Sequence, residues 1–118
     1  MRQIRAEVVA RTGVNYMCAI FATNDRSATI VTPMFYVRDD PNQTKAAMDT
    51  AKDLLVQLAQ KGYCEYRAHL DFMDLAQDQL DFGDHAYRNF AERIKDAVDP
   101  NGILSPGRHG IWPSSYRN

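Results

Sequence analysis

The stretch from Asp40 to Gly62 constrains the chain most, because it spells out one helix with both ends marked. Asp40 can cap it, Pro41 suits the first helical position, and Gln43 completes a capping box. Ala47, Ala51, Leu54 and Leu58 then recur on one face, with Met48 and Leu55 beside them. Gly62 supplies the left-handed residue that ends such a helix. A helix with one apolar stripe must bury it against a second layer, so its flanking segments decide the fold class.

Upstream, residues 2–11 place Ile4, Val8 and Val9 on one helical face, and Gly13 follows as a stop. The helix starts at Met1 with no capping residue ahead of it, which raises the expectation of a piece of a longer protein. Residues 14–23 (VNYMCAIFAT) and 28–37 (ATIVTPMFYV) read as two strands joined by the polar turn Asn24-Asp25-Arg26-Ser27. Pro33 implies an edge or a bulge in the second. Downstream, residues 63–67 (YCEYR) read as a short third strand. Glu65 and Arg67 would share one of its faces and Tyr66 the other, unless the strand ends there and the alternation relaxes. Residues 70–80 predict a short helix with Leu70, Met73 and Leu80 inward. Asp84 would cap a last helix with the stripe Tyr87, Phe90, Ala91, Ile94 and Val98, stopped by Asp99-Pro100-Asn101-Gly102. The Gly- and Pro-bearing remainder reads as an extended tail. The expected architecture is α+β. It has a small antiparallel or mixed sheet with helices on one face, continuing into strands outside this chain. Residues 1–100 would form the domain and 101–118 the tail.

The 118 residues suit one domain with a modest core. A net charge of −1, from 14 basic and 15 acidic residues, argues against a nucleic-acid binder. No apolar run approaches the roughly 20 residues of a helical membrane span. Met1-Arg2-Gln3-Ile4-Arg5 has no apolar region behind it, so no signal peptide is read and a cytoplasmic location is expected. Cys18 and Cys64 form no CxxC and are expected as buried free thiols. There is no GxGxxG, P-loop, GxSxG or HExxH. The scattered His69, His85 and His109 suggest no metal site, and Asp71, Asp74, Asp78 and Asp81 read as a solvated acidic face.

Two segments stand apart. Glu65-Tyr66-Arg67-Ala68-His69-Leu70, followed by Phe72-Met73-Asp74, resembles a stretch of the vanillyl-alcohol oxidase and 4-cresol dehydrogenase family. So does the tail from Asn101-Gly102-Ile103-Leu104-Ser105-Pro106-Gly107-Arg108 through Trp112-Pro113-Ser114, and residues 13–38 follow that family's hairpin more loosely. The resemblance implies the C-terminal part of a ferredoxin-like cap domain, which covers a flavin ring and holds the substrate. The tail would return to an FAD-binding domain that this chain lacks.

The resemblance further implies that Tyr66 and Arg67 bind the phenol oxygen of a 4-alkylphenol of the 4-cresol, vanillyl alcohol or eugenol type. Hydride then leaves the para carbon for the flavin and a quinone methide remains. Glu65 would stand in the site wall and Ile30 in its apolar lining, while Arg67 and Arg108 would lie near FAD. Ala28 and Thr29 replace two histidines of the family, and Ala19 replaces a threonine, which leaves the particular phenol open. A cytochrome c is a possible electron acceptor, and a homo-oligomer is expected. Alone, the chain is expected to hold FAD weakly or not at all, so catalysis by it alone is not expected. The competing reading is a free-standing, non-catalytic α+β module for ligand binding or dimerisation.

Overall fold

The computed structural model describes residues 2–117, so the expected helix start at Met1 lies outside the described residues. The elements in chain order are α1 (Arg2–Thr12), β1 (Ala19–Ala22), β2 (Ala28–Val31), α2 (Pro41–Ala59), α3 (Met73–Asp78) and α4 (Phe82–Val98). Single 3₁₀ turns lie at Leu70–Phe72, Arg108–Gly110 and Ser114–Tyr116. The chain is α+β, and it divides into two compact units, Met1–Leu54 and Leu55–Asn118.

In the first unit α1 buries Ile4 and Val8, as its spacing predicts, and Gly13 closes it with an N–H bond to Val9 O (2.9 Å). The hairpin pairs β1 with β2 antiparallel, in the register Ala19–Val31 to Ala22–Ala28. It resumes as a single bridge at Tyr16–Met34, on the far side of Pro33, which has no N–H to give to a ladder. The Pro33 carbonyl still accepts from Met17 N (3.1 Å). At the start of α2, Asp40 Oδ1 accepts from the N–H groups of Asn42 (2.9 Å) and Gln43 (3.2 Å). Gln43 closes the box by donating to Asp40 Oδ2 (3.0 Å), and its Oε1 accepts from Val37 N. These bonds, the Gln43 N–H first, hold the Asp40 carboxyl below its ordinary range. Ala47, Leu54 and Leu55 are buried along the predicted stripe.

The third strand is not formed. Residues 63–67 are irregular and exposed, with a bend at Tyr66 and Arg67. A strand is held by its ladder, and no neighbouring strand among the described residues offers these residues one. For the same reason Cys64 is exposed rather than buried, and Cys18 is only partly covered; both are free. In the second unit the predicted stripe of residues 70–80 holds at Met73 but not at Leu70, which is 71% exposed; Phe72 takes the interior place. Asp84 does not cap α4 with its side chain. Gly83, Asp84 and His85 all have positive φ (57°, 55° and 57°), so the regular helix begins after them, and the Asp84 carbonyl accepts from Asn89 Nδ2. The α4 stripe is open, with Phe90 64% and Val98 69% exposed.

Residues 99–117 fold back on α3 and α4. Asp99, 6% exposed, accepts from Ile103 N (3.0 Å) and Leu104 N (2.9 Å) and pairs with Lys95 (2.7 Å). Trp112 Nε1 donates to Asp74 (2.7 Å), Ser114 N donates to Asp96 (2.9 Å), and Arg117 reaches Asp96 and Glu92. Asp99 is held below its ordinary 3.8, chiefly by the Lys95 bond, and Asp96 likewise by Arg117. A lowered carboxylate pKa adds stability that is present above the unfolded value and lost as pH falls through the folded one. Asp99→Asn is therefore expected to lower stability at neutral pH and to flatten the acid dependence below about 4. The fluorescence of Trp112, the single tryptophan, is the readout.

Candidate functional site

The 63–74 segment is shaped from both ends. Gly62, at φ 82°, turns the chain out of α2, and its N–H bonds to Ala59 O (2.9 Å). At the other end His69 caps the 3₁₀ turn: its Nδ1 accepts from Asp71 N (3.2 Å), and its ring lies 5.4 Å from that of Phe72. Between these fixed points the chain bends at Tyr66 and Arg67, and both residues line the same cavity.

That cavity measures about 380 Å³. Glu65, Tyr66, Arg67 and Ala68 form one wall, Met73, Ala76, Gln77 and Leu80 a second, and Tyr87, Arg108 and His109 complete it. Four of the five predicted site residues are thus brought together. The fifth, Ile30, lies in the first unit, in β2 opposite Ile20, and is not among the lining residues. Sequence reasoning missed Gln77, Tyr87 and His109. Tyr87 was read as core stripe, and the place of His109 depends on how the tail folds.

Tyr66 is 78% exposed, and its hydroxyl has no partner among the described residues. The Arg67 guanidinium lies 5.8 Å from the Tyr66 ring centroid, a cation–π placement. Neither Arg67 nor Arg108 pairs with a carboxylate among the described residues. Glu65 is solvent-accessible as a residue, yet loss of water around its carboxyl raises its pKa above the ordinary 4.5. The arrangement offers two cations and a phenol hydroxyl to a small acceptor-bearing ligand.

The tail's approach depends on Gly110, at φ 69°. A Cβ there would stand 2.7 Å from Gln77 Cβ and 2.9 Å from Met73 O, so the backbone lies directly on α3. His109 N also donates to Met73 Sδ (3.3 Å). Of the predicted acidic face, Asp74 and Asp78 are engaged, by Trp112 and by Arg88 (2.7 Å).

No protein-family model matches the chain. It is 32% identical over 116 residues to 1'-carboxy-chondrochloren decarboxylase of Chondromyces crocatus, covering 96% of this chain and 20% of that protein. It is 36% identical over 104 residues to the 4-cresol dehydrogenase [hydroxylating] flavoprotein subunit of Pseudomonas putida, covering 88% and 19%. Among solved structures it is similar to 4-ethylphenol oxidase from Gulosibacter chungangensis, in its isoeugenol complex. That match has a TM-score of 0.91 and 34% identity, over 98% of this chain and 22% of the other. Fold and sequence together match the C-terminal region of a 4-ethylphenol oxidase. The chain is thus similar over most of its length to 4-cresol dehydrogenase and 4-ethylphenol oxidase, and it spans about a fifth of the length of the curated relatives it matches.

Two outcomes are expected. Gly110→Ala places a non-glycine residue at positive φ and against α3, and it should lower stability to urea unfolding by about 1–2 kcal/mol or more. The raised Glu65 pKa means that the folded state loses stability as pH rises from 4.5 through the raised value. The melting temperature of Glu65→Gln relative to the parent should therefore climb through that window and level off above it.

Proposed function

We propose that this chain supplies the phenol-anchoring part of an FAD-dependent oxidoreductase acting on 4-alkylphenols. The observation that carries the reading is the convergence of Tyr66 and Arg67, neither committed to a carboxylate or a hydrogen bond, on one small cavity. A phenol ionises near pH 10, so holding it as phenolate at pH 7 takes about 4 kcal/mol. A guanidinium and a hydroxyl, at about 1.5–3 kcal/mol each to a charged acceptor, are sufficient. The phenolate pushes electron density toward its para carbon, which then gives up hydride and leaves a quinone methide.

FAD, when bound, would supply the hydride acceptor. Arg67 and Arg108, which make no ion pair among the described residues, line the same cavity and would stand near it, where positive charge would favour an anionic ring. The chain has no glycine-rich phosphate loop, so the rest of FAD would be held by a further domain. The α4 stripe supports such a partner, because Phe90, Ile94 and Val98 form an exposed apolar face suited to covering.

Calorimetric titration with 4-ethylphenol tests the reading. Arg67→Ala is expected to weaken binding by about ten- to a hundredfold, and Tyr66→Phe by somewhat less. Affinity unchanged in both variants would overturn it.

A further inference from the structure

The hairpin carries an open sheet edge that the phenol reading leaves unused. In an antiparallel ladder, residues alternate between those that bond to the facing strand and those whose N–H and C=O point the other way. Thr23 N donates to Ser27 O (2.9 Å) and Met17 N to Pro33 O (3.1 Å), both in the register that sets Ile20 against Ile30. By that alternation Ala19 and Phe21 bond inward to β2, while Cys18, Ile20 and Ala22 turn their main-chain groups outward. Among the described residues β2 is the one strand beside β1, and no main-chain hydrogen bond leads from the three outward residues beyond the hairpin. Such a row of unpaired groups is a template for a further strand, and proteins usually guard it with charge, proline or a bulge. This edge has no such guard: residues 14–23 hold no charged residue, no proline and no glycine. Ile20 is 66% and Phe21 57% exposed, and successive residues lie on opposite faces of a strand, so both faces are open and apolar. The β2 edge is less open, with Thr29 and Ile30 partly covered.

We propose that β1 is a homodimerisation edge, along which two copies of the chain join their hairpins into one four-stranded antiparallel sheet. The edge is complementary to itself. A two-fold axis beside Ile20 sets Ile20 opposite Ile20 of the second copy, Cys18 opposite Ala22, and Phe21 opposite Ala19. Outward-facing residues then meet outward-facing residues, and about six inter-strand hydrogen bonds close. The large Phe21 ring stands across from the small Ala19, and no like charges meet. A two-stranded hairpin is marginal in water, whereas a sheet of three or more strands is not, so the pairing stabilises both copies. It covers less than the roughly 800 Å² per partner of a standard interface, so the dimer is reversible. No residue of the cavity lining takes part, so dimerisation and phenol binding hold or fail separately.

The test is analytical ultracentrifugation of the 118-residue chain under reducing conditions. The weight-average mass should rise from 13.4 kDa toward twice that value as concentration climbs from about 1 to about 500 µM. Over the same range, exchange of the Ile20 and Ala22 amide hydrogens should slow by about tenfold, while those of Ala19 and Phe21, already bonded to β2, change less. Ile20→Lys sets two like charges opposite each other and should weaken association by about tenfold or more. Ile20→Thr, branched and uncharged, should keep association within about threefold, and so should Ala28→Lys on the β2 edge. Ile20 and Ala28 are both exposed, so these changes leave the interior of the fold alone. A mass fixed at 13.4 kDa at every concentration would overturn the proposal. So would a dimer that survives Ile20→Lys and is lost instead in Ile94→Lys on α4, or growth past the dimer into open polymers.

Discussion

The capture of the C-terminal segment by three aspartates underlies the second unit. Asp99 takes the N–H groups of Ile103 and Leu104, Asp74 takes the indole of Trp112, and Asp96 takes Ser114 and Arg117. Each bond ends on a carboxylate, and such charge-assisted bonds are stronger than neutral ones. They act on a segment with no strand pairing or long helix of its own. Arg108 and His109 reach the cavity only because the segment is held on both sides of them. A net charge of −1 conceals this, since the acidic and basic residues are sorted locally.

Much of the fold was legible in local chemistry. The Asp40–Gln43 box, the glycine stops at 13 and 62 and the hairpin turn all use contacts within a few residues, which a sequence displays directly. The third strand failed because a strand is a relation between two segments, and Tyr63–Arg67 has the composition without the neighbour. The cap at Asp84 failed on a backbone fact, the run of left-handed residues around it. The stripe on α4 was read correctly as a stripe, but periodicity shows which face is apolar and not what covers it.

The site divides along the same line. Glu65, Tyr66 and Arg67 are adjacent in sequence, so a motif could point to them. Gln77 and Tyr87 come from α3 and α4, and His109 joins them only through the return of the tail onto α3. Gln77 carries no signal in the sequence, where a glutamine on a short helix reads as surface. Its burial comes from Gly110, a residue 33 positions later whose lack of a side chain lets the backbone lie on it.

The late position of the clamp has a consequence for biosynthesis. Arg117 supplies the last ion pairs that hold the tail, and it is made after every residue of the cavity. A nascent chain can complete α3 and α4 while the wall bearing Arg108 and His109 is still unfastened. Arg67 and Arg108, 41 positions apart, come to line one cavity only once the later segment is fastened onto the helices made before it.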